Sequence, residues 1–306
     1  MYDVIIVGGG PAGMTAALYA LRNGKTVLVL EKTGFGGQIV HSPKVENWPG
    51  TARMSGNEYA DAFLEQILDQ GAEVDLSEVI RVEDRGDVKV VYTAEGNAQE
   101  GKTVILATGV KHRELGLPGE REMTGEGVSY CAVCDGDFFK GKKVCIAGGG
   151  NSALQEAMLL SGKCSEVVML QDLPEFTGEK ALKDLVLARE NVSGRTGVRI
   201  TDLEMNENVQ LTGVTIETAE GKKETIACDG LFVAIGLIPE NDAFKEVAEL
   251  DQWGYFASGE SCETRTPGIF TAGDCRSKAV RQLTTAAGDG SVAALAACRY
   301  IDRMHG

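Results

Sequence analysis

From Asp3 to Val7 the chain reads Asp-Val-Ile-Ile-Val, a short apolar run that enters a cluster of glycines. Ala12 to Arg22 then has helical character, Gly24 stops it, and Thr26-Val-Leu-Val-Leu30 is a second apolar run. Two short apolar runs around a helical stretch predict a β-α-β unit. The order returns at Lys143-Val-Cys-Ile-Ala147, the Gly148 cluster, Asn151 to Ser161, Gly162 and Glu166-Val-Val-Met-Leu170. Its register is the same, since Gly8 to Glu31 and Gly148 to Gln171 both span 23 positions.

Val104-Ile-Leu-Ala-Thr-Gly109 predicts a buried strand ending in a glycine turn, and Asp229 to Gly236 closes the second unit in similar fashion. Thr266 to Asp274 supplies another strand, and the Ala-rich stretch Leu283 to Arg303 a long helix that returns the chain to the first unit. The expected fold is α/β, with two Rossmann-like, three-layer domains, the second inserted into the first. Pro118 and Pro239 break apolar segments near the crossings. They predict a first domain over 1–114 and 241–306 and an inserted domain over 115–240. Two short crossings would permit rigid-body rotation.

With 306 residues, 43% apolar and 25% charged, the chain can bury two cores. A net charge of -15 disfavours nucleic acid and anionic membranes, because phosphate binding needs clustered Lys and Arg. Expected partners are small molecules or proteins. Met1 to Tyr19 is apolar, but Asp3, the lack of a basic flank and the central Gly8-Gly9-Gly10-Pro11 argue against a signal peptide. No run approaches the ~20 apolar residues of a membrane helix. A cytoplasmic, reducing compartment is expected. Of eight cysteines only Cys131 and Cys134 have a paired spacing, while Cys145 and Cys298 lie in apolar or Ala-rich runs that suit small buried hydrophobes. No metal site is expected, since a zinc site would need a second cysteine pair and His41, His112 and His305 are not spaced as ligands.

Gly8-x-Gly10-Pro11-Ala12-Gly13 follows a strand and opens a helix. In that context the glycines turn tightly, and backbone N–H groups with the helix dipole face a pyrophosphate. Glu31 ends the next strand, where a carboxylate accepts from ribose hydroxyls and repels a 2'-phosphate, so FAD or NAD fits and NADP does not. Cys131-Ala-Val-Cys134-Asp135 sets two thiols three apart beside an acid, as reversible dithiol chemistry requires.

Gly36-Gly37-Gln38, Val45-Glu-Asn47-Trp-Pro-Gly50, Ala107-Thr108-Gly109, Cys131 to Asp135, Thr271-Ala-Gly273-Asp274 and Arg281-Gln282 resemble the low-molecular-weight thioredoxin reductases over nearly the whole chain. The resemblance implies FAD in the N-terminal site, with Glu31 and Lys32 after the second strand. It places Gly37, Gln38 and Asn47 near the isoalloxazine, Gly273 and Asp274 by the ribityl chain, and Arg281 and Gln282 at the pyrimidine edge. A helix beginning near Leu283 would point its positive end at the reduced flavin. Cys134 would lie nearer the flavin, Cys131 would attack the disulfide of thioredoxin, and Asp135 would protonate a departing thiolate. A homodimer is implied by the family alone.

The second loop, Gly148-x-Gly150-x-x-Ala153, keeps the geometry of the first. After its strand, where NADPH-using relatives carry a His-Arg-Arg and a further Arg, this chain has Gln171-Asp-Leu-Pro-Glu-Phe-Thr177. A 2'-phosphate would meet Asp172 and Glu175 in place of guanidinium groups, so NADPH is disfavoured and NADH stays open through Asp172. This departure resembles the ferredoxin-dependent flavin thioredoxin reductases. Ferredoxins are acidic as a class, so docking would need a basic patch, with Lys111, His112, Arg113, Lys140, Lys142, Lys143, Arg276 and Lys278 as candidates. An NADH-dependent reductase, a flavin dithiol oxidase and a non-enzymatic flavin redox sensor are the alternatives.

Overall fold

The computed structural model describes residues 1–42 and 44–304, so His305 lies outside the described residues. The chain forms two compact units, Met1–Lys111 with Ile238–Gly306, and His112–Leu237.

The first unit opens with β1 (Tyr2–Val7), α1 (Pro11–Arg22) and β2 (Val27–Glu31), followed by α2 (Gly56–Asp69), β3 (Glu73–Leu76), β4 (Val79–Asp84), β5 (Lys89–Thr93) and β6 (Ala98–Leu106). Strand order in its sheet is β3-β2-β1-β6-β5-β4. The β3, β2, β1 and β6 neighbours are parallel, while β5 and β4 return antiparallel. Every residue of β2 is buried, as a strand covered on both faces requires. Pro11 at the first turn of α1 costs nothing, because its missing N–H would lack a helical partner there anyway. At the other end Asn23 and Gly24 close the helix back onto Tyr19, Ala20 and Leu21.

The chain crosses at β7 (Lys111–His112). In the second unit come β8 (Val128–Ser129), α3 (Ala132–Asp135), β9 (Lys143–Ala147), α4 (Asn151–Ser161), β10 (Glu166–Gln171), α5 (Lys180–Leu187) and β11 (Val192–Thr196). They are followed by β12 (Val198–Met205), β13 (Leu211–Thr218), β14 (Lys223–Ala227) and β15 (Gly230–Val233). A parallel sheet runs β11-β10-β9-β15-β8, and β12-β13-β14 form a separate antiparallel sheet. The parallel sheet has an apolar core on each face. One, with Val168, Leu170 and Leu231, packs on the β12–β14 side. The other, with Ile146, Leu154 and Phe232, packs on the α4 side.

The chain returns through β16 (Leu237–Ile238), which pairs with β7, then β17 (Ile269–Thr271) and α6 (Leu283–Met304). Of the run expected as a strand from Thr266 to Asp274, only Ile269–Thr271 pairs, beside β6. Gly273 turns the chain out of the sheet at φ +83°. Helix α6 packs on α1, and the buried alanines of both join Phe270 of β17 in one core. Among the described residues no helix is long and apolar enough to cross a membrane.

Candidate active site

Three loops of the first unit meet at the C-terminal ends of β1, β6 and β17, the crevice where open α/β sheets bind ligands. Gly8 has φ +110°, and a Cβ there would lie 2.2 Å from the Ala107 carbonyl oxygen. A Cβ on Gly13 would lie 1.9 Å from the Gly8 carbonyl oxygen, so helix and strand meet backbone to backbone. Gly10 precedes α1 in extended conformation with no side-chain cap, which leaves first-turn N–H groups free for an anion. Gly37 lies alongside, where a Cβ would be 3.3 Å from the Gly10 Cα. Gly273 closes the third side: its Cβ would fall 2.7 Å from the Ala12 Cβ.

Glu31 takes a part in this crevice that its sequence position did not reveal. Its Oε2 accepts the Gly9 N–H at 2.7 Å, and its Oε1 accepts from Thr33 N at 2.9 Å, so the carboxylate organises the loop itself. The neighbouring Lys32 turns to Glu240, 2.6 Å away. Gln38 lies in the 3-10 turn Gly37–His41. Asn47 Nδ2 donates to Gln282 Oε1 at 3.3 Å. Thr108 Oγ1 donates to Asn241 Oδ1 at 2.7 Å, and Asn241 Nδ2 donates to the Cys275 carbonyl, tying the turn at Ala107-Thr108-Gly109 to the Asp274 loop. Nothing in the sequence marked Asn241 for this.

Asp274 Oδ1 is buried without a hydrogen-bond partner, and burial pushes its carboxyl up to about 6 against the pull of Lys278 and Arg281. Arg281 donates to the Asp274 carbonyl oxygen at 3.2 Å and stacks on the Tyr255 ring at 4.2 Å. Leu283 begins α6 beside it. Asp289 of α6 accepts from Gly273 N, from Arg276 through two nitrogens at 2.8 Å, and from Lys278 Nζ at 2.8 Å. Arg276 is only 3% exposed. This corrects the basic-patch expectation: Arg276 and Lys278 are buried partners of Asp289 and offer no charge to a docking protein. Lys111 and Lys143 pair with Glu240 and Glu166. Arg113, Lys140 and Lys142 are exposed.

In the second unit Cys131 caps α3, and its Sγ and carbonyl oxygen both accept from Cys134 N. The two cysteines are joined as a disulfide with Cα atoms 5.3 Å apart. Asp135 Oδ2 accepts from Ser129 Oγ at 2.6 Å, and Ser129 Oγ accepts the Cys131 N–H at 3.1 Å. The other oxygen, Asp135 Oδ1, is buried and unpartnered, and burial outweighs the Ser129 bond to raise this carboxyl above the ordinary range. Ser129 was not foreseen. Helix α4, which packs against α3, carries a second carboxyl with an unpartnered buried oxygen, Glu156 Oε2. The remaining six cysteines are all buried, and among the described residues no group of side chains could hold a metal.

The second glycine loop copies the first. Gly148 has φ +124° with its Cβ position 2.4 Å from the Ala234 carbonyl oxygen, and Phe176 covers Gly149 as Phe35 covers Gly9. Gln171 stands where Glu31 stands and is buried, whereas Asp172 and Glu175 are exposed. Residues 177–179 fold along the start of α4: Thr177 N donates to the Gly149 carbonyl, and Asn151 Oδ1 accepts from Glu179 N at 2.7 Å. No cation lies between Gln171 and Glu179.

A family model described as pyridine nucleotide-disulphide oxidoreductase matches residues 2–290. The chain belongs to that family. Among the family's members, thioredoxin reductase of Listeria monocytogenes is 37% identical over 99% of this chain and 95% of its own length. The bifunctional thioredoxin reductase/thioredoxin of Mycobacterium leprae is 40% identical over 98% of this chain and 66% of its own length. Thioredoxin reductase from Streptococcus pyogenes is a solved structure of the same fold, with TM-score 0.94, 37% identity and 99% of both chains covered. The family implies FAD, and the first crevice fits it. The Gly8–Gly13 cradle admits no side chain, the first turn of α1 leaves N–H groups for a pyrophosphate, and the orphaned Asp274 Oδ1 can accept from a hydroxyl.

Proposed function

We propose that this chain is an FAD-dependent disulfide reductase that reduces thioredoxin through Cys131 and Cys134, with reduced ferredoxin as electron donor. The observation that carries the dithiol reading is the disulfide at the start of α3 with the buried, unpartnered Asp135 Oδ1 beside it. Bound FAD would supply a carrier that accepts electrons singly and delivers them in pairs. The chain supplies the rest. Asp135, raised by burial, holds a proton closer to neutrality than a free carboxyl does, which suits a group that protonates a departing thiolate. Ser129 fixes both that carboxyl and the Cys131 amide. Thioredoxin as acceptor rests on the names of the relatives, one of which is a thioredoxin fusion.

The donor assignment rests on the stretch after β10. A 2'-phosphate needs charge-assisted bonds, and residues 171–179 offer only Asp172, Glu175 and Glu179 as charged groups. No relative named above carries ferredoxin in its name, and the family name itself points to a pyridine nucleotide. NADH is therefore the second reading, supported by the intact turn at Gly148.

Anaerobic mixing of the FAD-loaded protein with NADPH, NADH or reduced ferredoxin, followed by flavin bleaching, separates the donors. Rapid bleaching by ferredoxin alone is expected, and rapid bleaching by NADPH overturns the assignment. Cys131→Ser and Cys134→Ser should each abolish thioredoxin reduction while FAD stays bound.

A further inference from the structure

The Ser129 hydroxyl joins two groups of the dithiol motif, and a hydroxyl has one proton to give. Ser129 ends β8, where pairing with β15 sets it opposite Phe232, and it is only 3% exposed. Its Oγ accepts the Cys131 N–H at 3.1 Å and donates to Asp135 Oδ2 at 2.6 Å. Asp135 Oδ1 is buried with no partner. We propose that Ser129 is a positioning residue for Asp135: by holding Oδ2 as an acceptor it places the carboxyl proton on Oδ1, and it stabilises the anion left when that proton departs. This rests on the dithiol reading above and deepens it, because it names the oxygen that serves as the acid.

Protons and lone pairs decide the arrangement. With the Cys131 N–H on one lone pair, the hydroxyl either donates to Oδ2 or accepts a proton carried on Oδ2. In the second case the Ser129 O–H needs another acceptor, and among the described residues its side chain bonds only Cys131 N and Asp135. A buried hydroxyl proton without a partner is costly, so the first case prevails. The Asp135 backbone is fixed separately, by its N–H on the Cys131 carbonyl oxygen at 3.0 Å, which leaves Ser129 to orient the carboxyl. Nearby charges do not decide it. Helix α4 and the 3-10 turn Gly136–Phe139 pack against α3 and carry Glu156 and Asp137, and Asp137 is paired with Lys163. Tyr130, next to Ser129, donates to Glu120 at 2.9 Å. The Asp135 carboxyl responds to burial, which raises it, then to the Ser129 bond, which lowers it, and to none of these charges. In the reaction a thiolate attacks the outside disulfide, a new S–S bond forms as the old one breaks, and the expelled sulfur keeps the electron pair and takes the Oδ1 proton. The carboxylate that remains is a stronger acceptor for the Ser129 O–H, so that bond strengthens as the proton leaves.

The test is an infrared pH titration of the oxidised full-length protein, in which the disulfide leaves no thiol of the motif to titrate. The Asp135 band is the protonated-carboxyl band that Asp135→Asn removes. In wild type it should lie where a carbonyl that accepts a hydrogen bond absorbs. Ser129→Ala should move it to the higher frequency of a free carbonyl and raise its titration midpoint by roughly 1–2 pH units, the value of a hydrogen bond to a charged group. Ser129→Thr keeps the hydroxyl and should restore both. A packing role alone would leave the midpoint in place, and if either band or midpoint stays where it is in wild type, the proposal is overturned. Should Ser129→Ala fail to fold, the wild-type band decides. A lowered carbonyl frequency supports the proposal, and a free-carbonyl frequency overturns it, because the proton would then sit on Oδ2. If Cys131→Ser and Cys134→Ser retained turnover, the dithiol reading itself would fall. Loss of turnover in both, with an unmoved Asp135 band in Ser129→Ala, removes only the role of Ser129.

Discussion

Replacing Asp274 by Asn tests whether the first crevice binds FAD through the orphaned carboxylate. Without ligand, burial holds the Asp274 carboxyl at about 6 instead of 3.8. That gap corresponds to roughly 3 kcal/mol of disfavoured charge at neutral pH. A hydroxyl donating to Oδ1 favours the charged form and brings the carboxyl back toward its ordinary range, so binding expels a proton wherever the free protein carries one. At about pH 5, one unit below the raised value, roughly nine-tenths of the free protein carries that proton. FAD should therefore bind about tenfold more weakly there than at about pH 8, or roughly 1.4 kcal/mol. Titrating apoprotein with FAD and following flavin fluorescence measures this directly. Asp274→Asn should flatten the pH dependence and weaken binding at pH 8 by roughly 1.5–3 kcal/mol, the value of a hydrogen bond to a charged group. Equal pH slopes in wild type and variant would refute the reasoning. The same carboxyl stabilises the apoprotein fully below 3.8 and loses that contribution as pH rises through about 6. Thermal unfolding of apoprotein and variant should differ with that sign.

Gly8→Ala places a Cβ 2.2 Å from the Ala107 carbonyl oxygen at φ +110°, so it should cost at least about 2 kcal/mol of stability and release FAD on gel filtration; a stable holoprotein would contradict the cradle. Asp289→Ala leaves Arg276 and Lys278 buried without their carboxylate and should lower stability by roughly 3–5 kcal/mol in denaturant titrations. Because Asp289 is held below the ordinary carboxylate range, its contribution is present above pH 3.8 and fades as pH falls through the lower folded value. Asp172→Arg combined with Leu173→Arg should strengthen NADPH binding by roughly 1.5–3 kcal/mol per bond formed, with no gain for NADH, as read by flavin bleaching; equal gains would show that the 2'-phosphate is not what these positions meet.

Parts of the site were legible because they are local. The Gly8–Gly13 and Gly148–Ala153 loops, the spacing of Cys131 and Cys134, and the missing cations after Leu170 need no partner elsewhere in the chain to be recognised. Glu156 left a trace, a carboxyl inside an apolar helical stripe, which is costly to bury unless something is done with it. Ser129, Asn241 and Asp289 left none. Asn241 and Asp289 bond residues that only folding brings near, as Asn241 does between Thr108 and Cys275, while Ser129 bonds close neighbours whose orientation the turn into α3 sets.

The charge of Arg276 and Lys278 shows the same division from the other side. In sequence they are two cations that could face an acidic partner, and in the fold α6 carries Asp289 across to pair with both. The repeated β-α-β plan, the backbone turns that only glycine allows and the kind of chemistry two neighbouring thiols can do are written into the order of residues. Those depend on steric limits and spacing along a few residues. Tertiary structure alone decided which charges are free, which carboxyls keep an unpartnered oxygen and how far burial moves them. Desolvation and pairing depend on every atom packed around a group, and most of those atoms come from distant parts of the chain.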